Sequence, residues 1–246
     1  MGVVPDPILI LGASGGIGRA IASRLSRAGH SLILHGRDTT RLGALSADLG
    51  GTCFVETADL SSEADVAALF ARVREAYGRL GGMIFSVATP FANKLAHRTA
   101  WSTFESQIST QLKALHLSAA AAYPLLSEGS ETRRVVIVSS EFAVAAPPIK
   151  TAPYAAAKAA MTAYGQVIAK EWRGKGIRVH IIAPGMVKTP LIAHIPDEFL
   201  DQVADSMPEG RLTTLEDIAG IVEFLMSDAA DTLYGSPIRI SRGERL

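Results

Sequence analysis

The sequence predicts an α/β protein with a Rossmann-like, doubly wound fold: a seven-stranded parallel sheet with helices on both faces. Short aliphatic or β-branched runs alternate with amphipathic segments of helical length along the whole chain. A final apolar run closes the series, and no linker rich in proline or serine interrupts it. Strands that alternate with helices of this length form βαβ units and hence a parallel sheet. We therefore expect residues 1–246 to fold as a single domain.

Six strand–helix units can be placed in order. The first joins a strand at Ile8–Leu11 to a helix at residues 19–27, where apolar residues recur every three or four positions, as on the buried face of a helix. The later strands are mostly apolar runs, which is typical of parallel strands covered on both faces. The remaining units and the closing strand are SLILHG with TTRLGALSADLG, TCFVET with EADVAALFARVREAYG, GGMIFSVA with WSTFESQISTQLKALHLSAAAAYPLL, RRVVIVSS with PYAAAKAAMTAYGQVIAKEW, IRVHIIAP with LEDIAGIVEFLMS, and SPIRIS.

Composition argues against several classes of function. Hydrophobic residues make up 48 % of the chain, and 24 Lys and Arg balance 24 Asp and Glu, so no basic excess indicates a surface for nucleic acid or anionic membranes. The longest apolar stretch, residues 115–126, is too short to span a bilayer and is better explained as a buried helix. The apolar start VVPDPILIL lacks the basic region of a signal peptide, and we expect a cytoplasmic protein.

The single cysteine argues against disulfides and metal sites. Cys53 has no partner for an internal disulfide, and no Cys/His cluster has the spacing of metal ligands. Because it lies in the apolar run TCFV, we expect a buried structural thiol. This use of cysteine is typical of a reducing, intracellular setting.

Four glycines fall within seven residues where the first strand ends and the first helix begins. Glycine at such a turn permits positive φ and lets a ligand approach the backbone, and the helix N-terminus beyond it suits a phosphate. In a first βα unit this turn binds a dinucleotide pyrophosphate, although the spacing here is G-x-x-x-G-x-G rather than G-x-G-x-x-G. A tight turn that binds nothing is the alternative. The candidate cofactor-binding residues of the turn are Gly12, Ser14, Gly15, Gly16, Ile17 and Gly18.

The end of the second strand bears on the choice between NAD and NADP. An acidic residue there would bond the ribose hydroxyls of NAD, but Gly36 and Arg37 occupy the position. Arg37 could pair with a 2′-phosphate, which favours NADP(H) and leaves NAD(H) open, whereas a solvated surface arginine is the alternative. Asp59, which Leu60 follows after the third strand, can accept a hydrogen bond from the adenine amino group or simply close a turn.

A tyrosine and a lysine four residues apart lie at the start of the fifth helix. Tyr154 and Lys158 share one helical face, and an ammonium near a phenol lowers the phenol pKa from its usual value of about 10. Such a pair is a general acid/base suited to alcohol–ketone chemistry. Ser140, after the fifth strand, could hold the carbonyl oxygen beside Tyr154. Each residue also has an ordinary structural explanation: a core tyrosine, a solvated lysine and a capping serine.

The order of these motifs resembles the short-chain dehydrogenase/reductase family. The glycine-rich first turn, Ser140, Tyr154 and Lys158 follow one another as in that family, and the segments IRVHIIAPGMVKTP and GRLTTLEDIAGIVEFLMSD are similar to two further family segments. The resemblance covers essentially the whole chain. It implies a Rossmann-like fold and hydride transfer between a nicotinamide and an alcohol or carbonyl.

The resemblance also implies roles for single residues. Tyr154 would be the acid/base, Lys158 would bind the nicotinamide ribose and lower the Tyr154 pKa, and Ser140 would orient the substrate. Val187 and Thr189 would meet the carboxamide of the nicotinamide. The cofactor-binding residues added from the later part of the chain are Ala88, Tyr154, Lys158, Pro184, Gly185, Val187 and Thr189.

Several positions depart from the family pattern. The glycine motif follows Leu11 instead of threonine, and residues 86–89 read SVAT instead of NNAG, so we expect an apolar contact in place of a hydrogen bond. Gln111 stands where the fourth helix of the family supplies an asparagine for a proton relay. We keep it as the fourth catalytic candidate, although the longer amide shifts the relay geometry. His180 stands where asparagine is common, and we expect a satisfied core residue there.

Residues 185–210 form a long connection, which predicts a substrate-binding lid; a short helix packed on the sheet edge is the alternative. Its apolar residues, with the apolar segments after Ser140 and after the fourth strand, favour a mostly nonpolar carbonyl substrate such as a 3-oxoacyl thioester or a small ketone. The resemblance further implies a homodimer or homotetramer built through the fourth and fifth helices, whose alanine-rich faces would serve intrachain packing equally well. The lid residues that could cover a substrate are Leu191, Ile192, Ile195, Phe199 and Met207.

Two functions therefore compete. The first is an NADP(H)-dependent oxidoreductase that interconverts a ketone and a secondary alcohol. The second is a regulatory or scaffold protein that binds the nucleotide but has lost turnover. The changes at Leu11, residues 86–89 and Gln111 leave room for the second function, whereas the retained serine, tyrosine and lysine argue for the first.

Overall fold

The sheet has the predicted architecture. In the computed structural model, which describes residues 6–51, 53–91, 93–128, 131–193 and 195–242, seven strands pair in parallel in the order β3-β2-β1-β4-β5-β6-β7. The strand order reverses between β1 and β4, which makes the fold doubly wound. The strands are β1 (Ile8–Leu11), β2 (Leu32–Gly36), β3 (Phe54–Thr57), β4 (Gly82–Phe85), β5 (Arg133–Val138), β6 (Ile177–Pro184) and β7 (Pro237–Ile240).

Helices cover both faces of this sheet, as predicted. They are α1 (Gly16–Arg27), α2 (Thr39–Asp48), α3 (Glu63–Tyr77), α4 (Trp101–Ile108), α5 (Ala114–Ser127), α6 (Ala152–Trp172), α7 (Asp197–Asp205) and α8 (Leu215–Leu225). Successive residues of a strand point to opposite faces. In β1, Leu9 and Leu11 therefore join the core under α3, α5 and α6, while Ile8 and Ile10 join the core under α1, α2 and α8. This two-sided burial explains why the strand is a continuous apolar run.

Two helices differ from the prediction. The predicted fourth helix is divided by a π-helical turn, Ser109–Lys113, that joins α4 to α5. The helix α1 begins at Gly16, three residues earlier than predicted, so two glycines of the turn belong to its first helical turn. The apolar stretch at residues 115–126 is part of α5, and no helix within the described ranges is long and apolar enough to cross a membrane.

The prediction of a buried Cys53 is wrong. The strand that follows it, β3, lies at the edge of the sheet, where the side chain of Phe54 is 56 % exposed. Cys53 itself is only partly buried. An edge strand is covered less completely than a central one, so an apolar run alone did not ensure burial of the thiol.

Candidate active site

A cavity of about 380 Å³ lies where the carboxyl ends of β1 to β5 meet. It extends from Arg37 and Asp59 past the glycine turn to Tyr154 and Lys158 on α6. Ligands of doubly wound sheets bind at this end, where the strand order reverses. The predicted site residues that line the cavity are Gly12, Ser14, Gly15, Gly16, Ile17, Arg37, Asp59, Leu60, Ala88, Tyr154, Lys158 and Thr189.

The cavity wall also differs from the prediction. Six predicted residues are not part of it: Gly18, Gln111, Ser140, Pro184, Gly185 and Val187. Gly18 has a packing role, because a Cβ there would strike the carbonyl oxygen of Gly12. Most of the missed residues are neighbours of predicted ones at the strand ends, and that adjacency was the signal available. The missed residues are His35, Gly36, Arg41, Ala58, Ser61, Ser86, Val87, Pro90, Thr110, Ala114, Val138, Ser139 and Pro190.

The glycine turn has the shape that a diphosphate needs. Gly12 has a φ of +87°, and a Cβ there would lie 2.6 Å from the carbonyl oxygen of Ser86. The helix α1 starts after Gly15 without a side-chain cap, and the N–H groups of a first helical turn have no acceptor within their helix. This positive, uncapped end opens on the cavity, so the residues present fit the diphosphate of a dinucleotide cofactor.

Asp59, at the end of the cavity near Arg37, both closes a turn and lines the cavity wall. Its Oδ1 accepts hydrogen bonds from the backbone N–H of Ser61 at 2.9 Å and from the Ser61 hydroxyl at 2.7 Å. Both bonds lower the pKa of Asp59 below its usual value, and the bond from the backbone N–H contributes most. Both explanations offered for this residue are therefore compatible with the structure.

The altered position before the glycine turn is apolar, as expected. Leu11 is fully buried in one core with Met83 and Phe85, and Val87 packs against that core. The two segments remain joined through the backbone, since the N–H of Ser86 donates to the carbonyl oxygen of Leu11 at 2.9 Å. An apolar contact thus stands where the family has a side-chain hydrogen bond.

Lys158 is buried in the floor of the cavity. Its Nζ donates a hydrogen bond to the carbonyl oxygen of Val138 at 2.9 Å and lies 5.8 Å from the centre of the Tyr154 ring. Burial lowers the pKa of Lys158 from 10.5 to about 7. The lysine is therefore not the solvated side chain that the structural alternative required.

The expected lowering of the Tyr154 pKa by Lys158 is wrong for this structure. Burial raises the pKa of Tyr154 to about 12, and the opposing contribution is a hydrogen bond with the Ser140 hydroxyl. The reason is that the lysine is itself desolvated and bonded to Val138, while the phenol has lost most of its water. The phenol is consequently a weaker acid than a phenol in water.

Two aromatic rings contact the ring of Tyr154. The ring of Phe91, in the segment after β4, stacks on it with centroids 4.6 Å apart and planes at 26°. The ring of Phe142, in the segment after β5, meets it edge-on at 6.0 Å and 86°. The backbone N–H of Phe142 also donates to the Ser140 hydroxyl oxygen at 3.3 Å, so the serine caps the short turn that follows β5.

Residues 12–244 match the family described as Enoyl-(Acyl carrier protein) reductase. The chain belongs to the short-chain dehydrogenase/reductase family. It is 28 % identical to the (3R)-3-hydroxyacyl-CoA dehydrogenase of Canis lupus familiaris over 96 % of this chain and 94 % of that protein. It is 28 % identical to the 3-oxoacyl-(acyl-carrier-protein) reductase of Haemophilus influenzae over 96 % of each protein. The crystal structure of levodione reductase matches 97 % of both chains with a TM-score of 0.90 at 26 % identity.

In this short-chain dehydrogenase/reductase, Gln111 lies in the π-helical turn and binds another glutamine. Its Nε2 donates to the Oε1 of Gln107 at 2.5 Å, and the Nε2 of Gln107 donates to the carbonyl oxygen of Pro90 at 3.0 Å. The Oε1 of Gln111 is buried and has no partner within the described residues. The side-chain nitrogen of the predicted relay residue is therefore engaged away from Lys158.

His180 is buried as expected, and a backbone group of Leu233 interacts with its ring. Both ring nitrogens lack a hydrogen-bond partner of good geometry among the residues that the structure describes. Burial lowers the pKa of His180 to about 4, so the ring is neutral at physiological pH. It lies inside β6, away from the cavity wall.

The predicted lid contains a short 3₁₀ turn at Pro190–Ile192 and the helix α7. Leu191 lines the cavity, Met207 is buried, and Phe199 is exposed. His194, within the predicted lid, lies outside the described residues. The first turn of the segment lies on the cavity, and α7 is largely exposed, with Leu200 as its buried residue. The role of the segment as a lid stays a prediction. Among the described residues no group of three or more His, Cys, Asp or Glu is arranged to hold a metal ion.

Proposed function

We propose that this short-chain dehydrogenase/reductase is an NADP(H)-dependent oxidoreductase that interconverts a ketone and a secondary alcohol. The observation that carries the proposal is a single cavity that joins the uncapped end of α1 to Tyr154 and Lys158. The named activities of the relatives support an oxoacyl thioester or a small apolar ketone as the carbonyl substrate. The composition supports a cytoplasmic protein.

The residues assign the proton in this reaction to the phenol. A bound nicotinamide would supply or accept the hydride. The Tyr154 Oη, with a pKa of about 12, is protonated at neutral pH, as an ordinary phenol also is, and can donate this proton to a carbonyl oxygen. The Ser140 hydroxyl bonds the same phenol and can hold the substrate oxygen beside it. Lys158, with its pKa near neutrality, can bind a ribose hydroxyl.

Two arginines support a preference for NADP(H). Arg37 and Arg41 both line the adenosine end of the cavity. Arg41 pairs with Asp38 at 3.3 Å and remains largely exposed. Guanidinium groups bind phosphate well because their donors match its oxygens. Arg41 thus offers a second basic group at the adenosine end, whereas residues 12–18 of the glycine turn contain no lysine or arginine.

The oxidoreductase activity is tested by following NADPH consumption with a panel of ketones and 3-oxoacyl thioesters. Tyr154→Phe removes the proton donor, and we expect turnover to fall about 100-fold or more. Tyr164→Phe is the matched control, since Tyr164 contacts His116 outside the cavity. Turnover that survives Tyr154→Phe unchanged would exclude the mechanism. NADPH binding without turnover of any carbonyl in the wild type would favour the nucleotide-binding scaffold.

The cofactor preference is tested by titrating NADPH and NADH into the wild type, Arg37→Asp and Arg41→Ala. We expect the wild type to bind NADPH at least about 10-fold more tightly, a difference of about 1.4 kcal/mol. Arg37→Asp should reverse the preference and Arg41→Ala should weaken it, while Arg173→Asp, at an exposed position beyond α6, should change neither affinity. Equal wild-type affinities would refute the preference.

We further propose a homodimer or homotetramer built through the predicted fourth and fifth helices, now α4–α5 and α6. The alanines on the inner side of these helices, such as Ala119, Ala122 and Ala157, are buried within the chain. Other small residues of α6 remain exposed, and they are the surface that a second copy would cover.

A further inference from the structure

We propose that Phe91 determines substrate specificity: held over the Tyr154 ring by the buried pair Gln107 and Gln111, it limits the size of the carbonyl compound that reaches the phenol. The inference rests on the proposed function. It assigns to Gln107 and Gln111 a positioning role, which neither the glycine motif nor the Tyr–Lys pair indicates.

The stacked ring limits the approach to the phenol. Phe91 covers one face of Tyr154 at 4.6 Å, Phe142 meets the ring edge-on, and the tyrosine as a whole is only 7 % exposed. A proton donor works only within hydrogen-bond distance of the atom it protonates. A carbonyl oxygen that approaches from the side of these two rings must pass them to reach the phenol. A wide group attached to that carbonyl collides with Phe91 before the oxygen arrives.

Buried amides hold the segment that carries Phe91. Gln107 is 2 % exposed, and its Nε2 donates to the carbonyl oxygen of Pro90, the residue before Phe91. Its Oε1 accepts from the Nε2 of Gln111 in the π-helical turn. Loss of the Gln107 amide would leave a buried Gln111 donor without this acceptor and would release the Pro90 carbonyl, and an unpaired buried donor is unfavourable. The segment is therefore held in place by the interior of α4 and α5.

The aromatic cover also predicts a property of the free protein. Burial holds the pKa of Tyr154 at about 12. Removal of the Phe91 ring admits water to the phenol, and its pKa should fall toward the ordinary value of about 10. Titration of tyrosinate absorbance, with Tyr154→Phe as the reference, isolates this one phenol among the 5 tyrosines of the chain.

The experiment compares Phe91→Ala, Gln107→Leu and the control Phe224→Ala, which removes a half-exposed ring from α8. The kcat/KM for NADPH-dependent reduction is measured with methyl ethyl ketone and with acetylnaphthalene. We expect Phe91→Ala to raise the ratio of the bulky to the small ketone at least about 10-fold, since steric discrimination of this size is typical of one pocket group. Gln107→Leu should raise it less, and Phe224→Ala should leave it unchanged. Phe91→Ala and Gln107→Leu should both lower the midpoint pH of the tyrosinate titration.

The proposal would be overturned if Phe91→Ala left both the kcat/KM ratio of the two ketones and the tyrosinate midpoint pH at their wild-type values. If Phe91→Ala changes both but Gln107→Leu changes neither, the positioning role of the glutamines is wrong. If the wild type reduces no carbonyl compound, the proposed function fails, yet the titration of the nucleotide-free protein still decides whether Phe91 covers the phenol.

Discussion

At the scale of single residues, the buried amine of Lys158 destabilises the fold when it is charged. Its pKa falls from 10.5 to about 7, so between these values the unfolded chain binds more protons than the folded one, and stability rises with pH. We predict that Lys158→Met, in nucleotide-free protein at about pH 7, raises the free energy of unfolding by about 1–4 kcal/mol. The gain should shrink as the pH rises toward about 10.

Urea unfolding at several pH values measures this difference. Lys170→Met, on an exposed position of the same helix, is the control and should show no such pH-dependent gain. A Lys158→Met protein that is less stable than the wild type at neutral pH would show that the bond to Val138 outweighs the cost of burial.

The glycine turn makes a second prediction at this scale. Gly12 and Gly29 have nearly equal positive φ values of +87° and +86°, but only at Gly12 would a Cβ meet another atom, the Ser86 carbonyl oxygen at 2.6 Å. We expect Gly29→Ala to cost about 1 kcal/mol from backbone strain alone. Gly12→Ala should cost at least about 2 kcal/mol more, by the overpacking cost of a tight site, and should weaken NADPH binding. If urea unfolding shows that both substitutions lower the free energy of unfolding equally, the backbone around Gly12 can shift to accommodate a Cβ.

The presence of Tyr154 and Lys158 in one cavity could be predicted because it depends on local spacing. Tyr154 and Lys158 are one helical turn apart, and a glycine-rich turn is recognisable wherever it occurs. The raised pKa of Tyr154 was not predictable, because it depends on burial, and the rings that contact it, Phe91 and Phe142, come from separate segments. Arg41 was missed for the same reason: only the fold brings it to the cavity.

At the scale of elements, α8 shows how a helix start can carry a pH dependence. The N–H of Asp217 donates to the Thr214 hydroxyl at 3.1 Å, and the N–H of Thr214 donates to the Asp217 carboxylate at 2.8 Å. The Arg242 guanidinium, hydrogen-bonded to Asp217, holds the pKa of that carboxyl well below its usual range. The Asp217 carboxylate therefore stabilises the folded state at pH values above its unfolded-state pKa of about 3.9. This stabilisation is lost as the pH falls through the folded-state pKa.

We predict that Asp217→Asn lowers the free energy of unfolding by about 1 kcal/mol at neutral pH, the usual effect of losing a cap. The difference from the wild type should vanish in acid. Thermal unfolding by circular dichroism across pH measures it, with Asp205→Asn at the exposed end of α7 as the control. A difference that persists at low pH would mean that the charge of Asp217 is not what matters.

Element order was predictable from alternation, but two local features were not. The π-helical turn lies inside a segment with ordinary helical spacing, and it places the buried Gln107 and Gln111 in contact rather than changing the apolar pattern. The exposure of Phe54 depends on β3 being the last strand of the sheet, which only the strand order determines.

At the scale of the whole molecule, one face of α6 is left apolar toward solvent. Ala156, Ala159, Ala163 and Val167 recur at helical spacing, all are exposed, and Val167 is 53 % exposed. Small side chains on a helix allow a second helix to approach closely, and burying such a face is favourable. Since the inner face of the same helix is already packed on β6, this outer face is the one available for the proposed contact with a second copy.

We predict that Ala163→Glu, which places a carboxylate in the centre of this face, dissociates the assembly, because an unpaired charge in an interface costs several kcal/mol. Light scattering coupled to gel filtration should show the mass of the wild-type oligomer falling to that of a smaller species. Ala44→Glu, an equally small exposed residue on α2, should leave the mass unchanged. An assembly that tolerates Ala163→Glu would place the subunit interface on another face of the molecule, and a wild type that elutes as a monomer would refute the oligomer altogether.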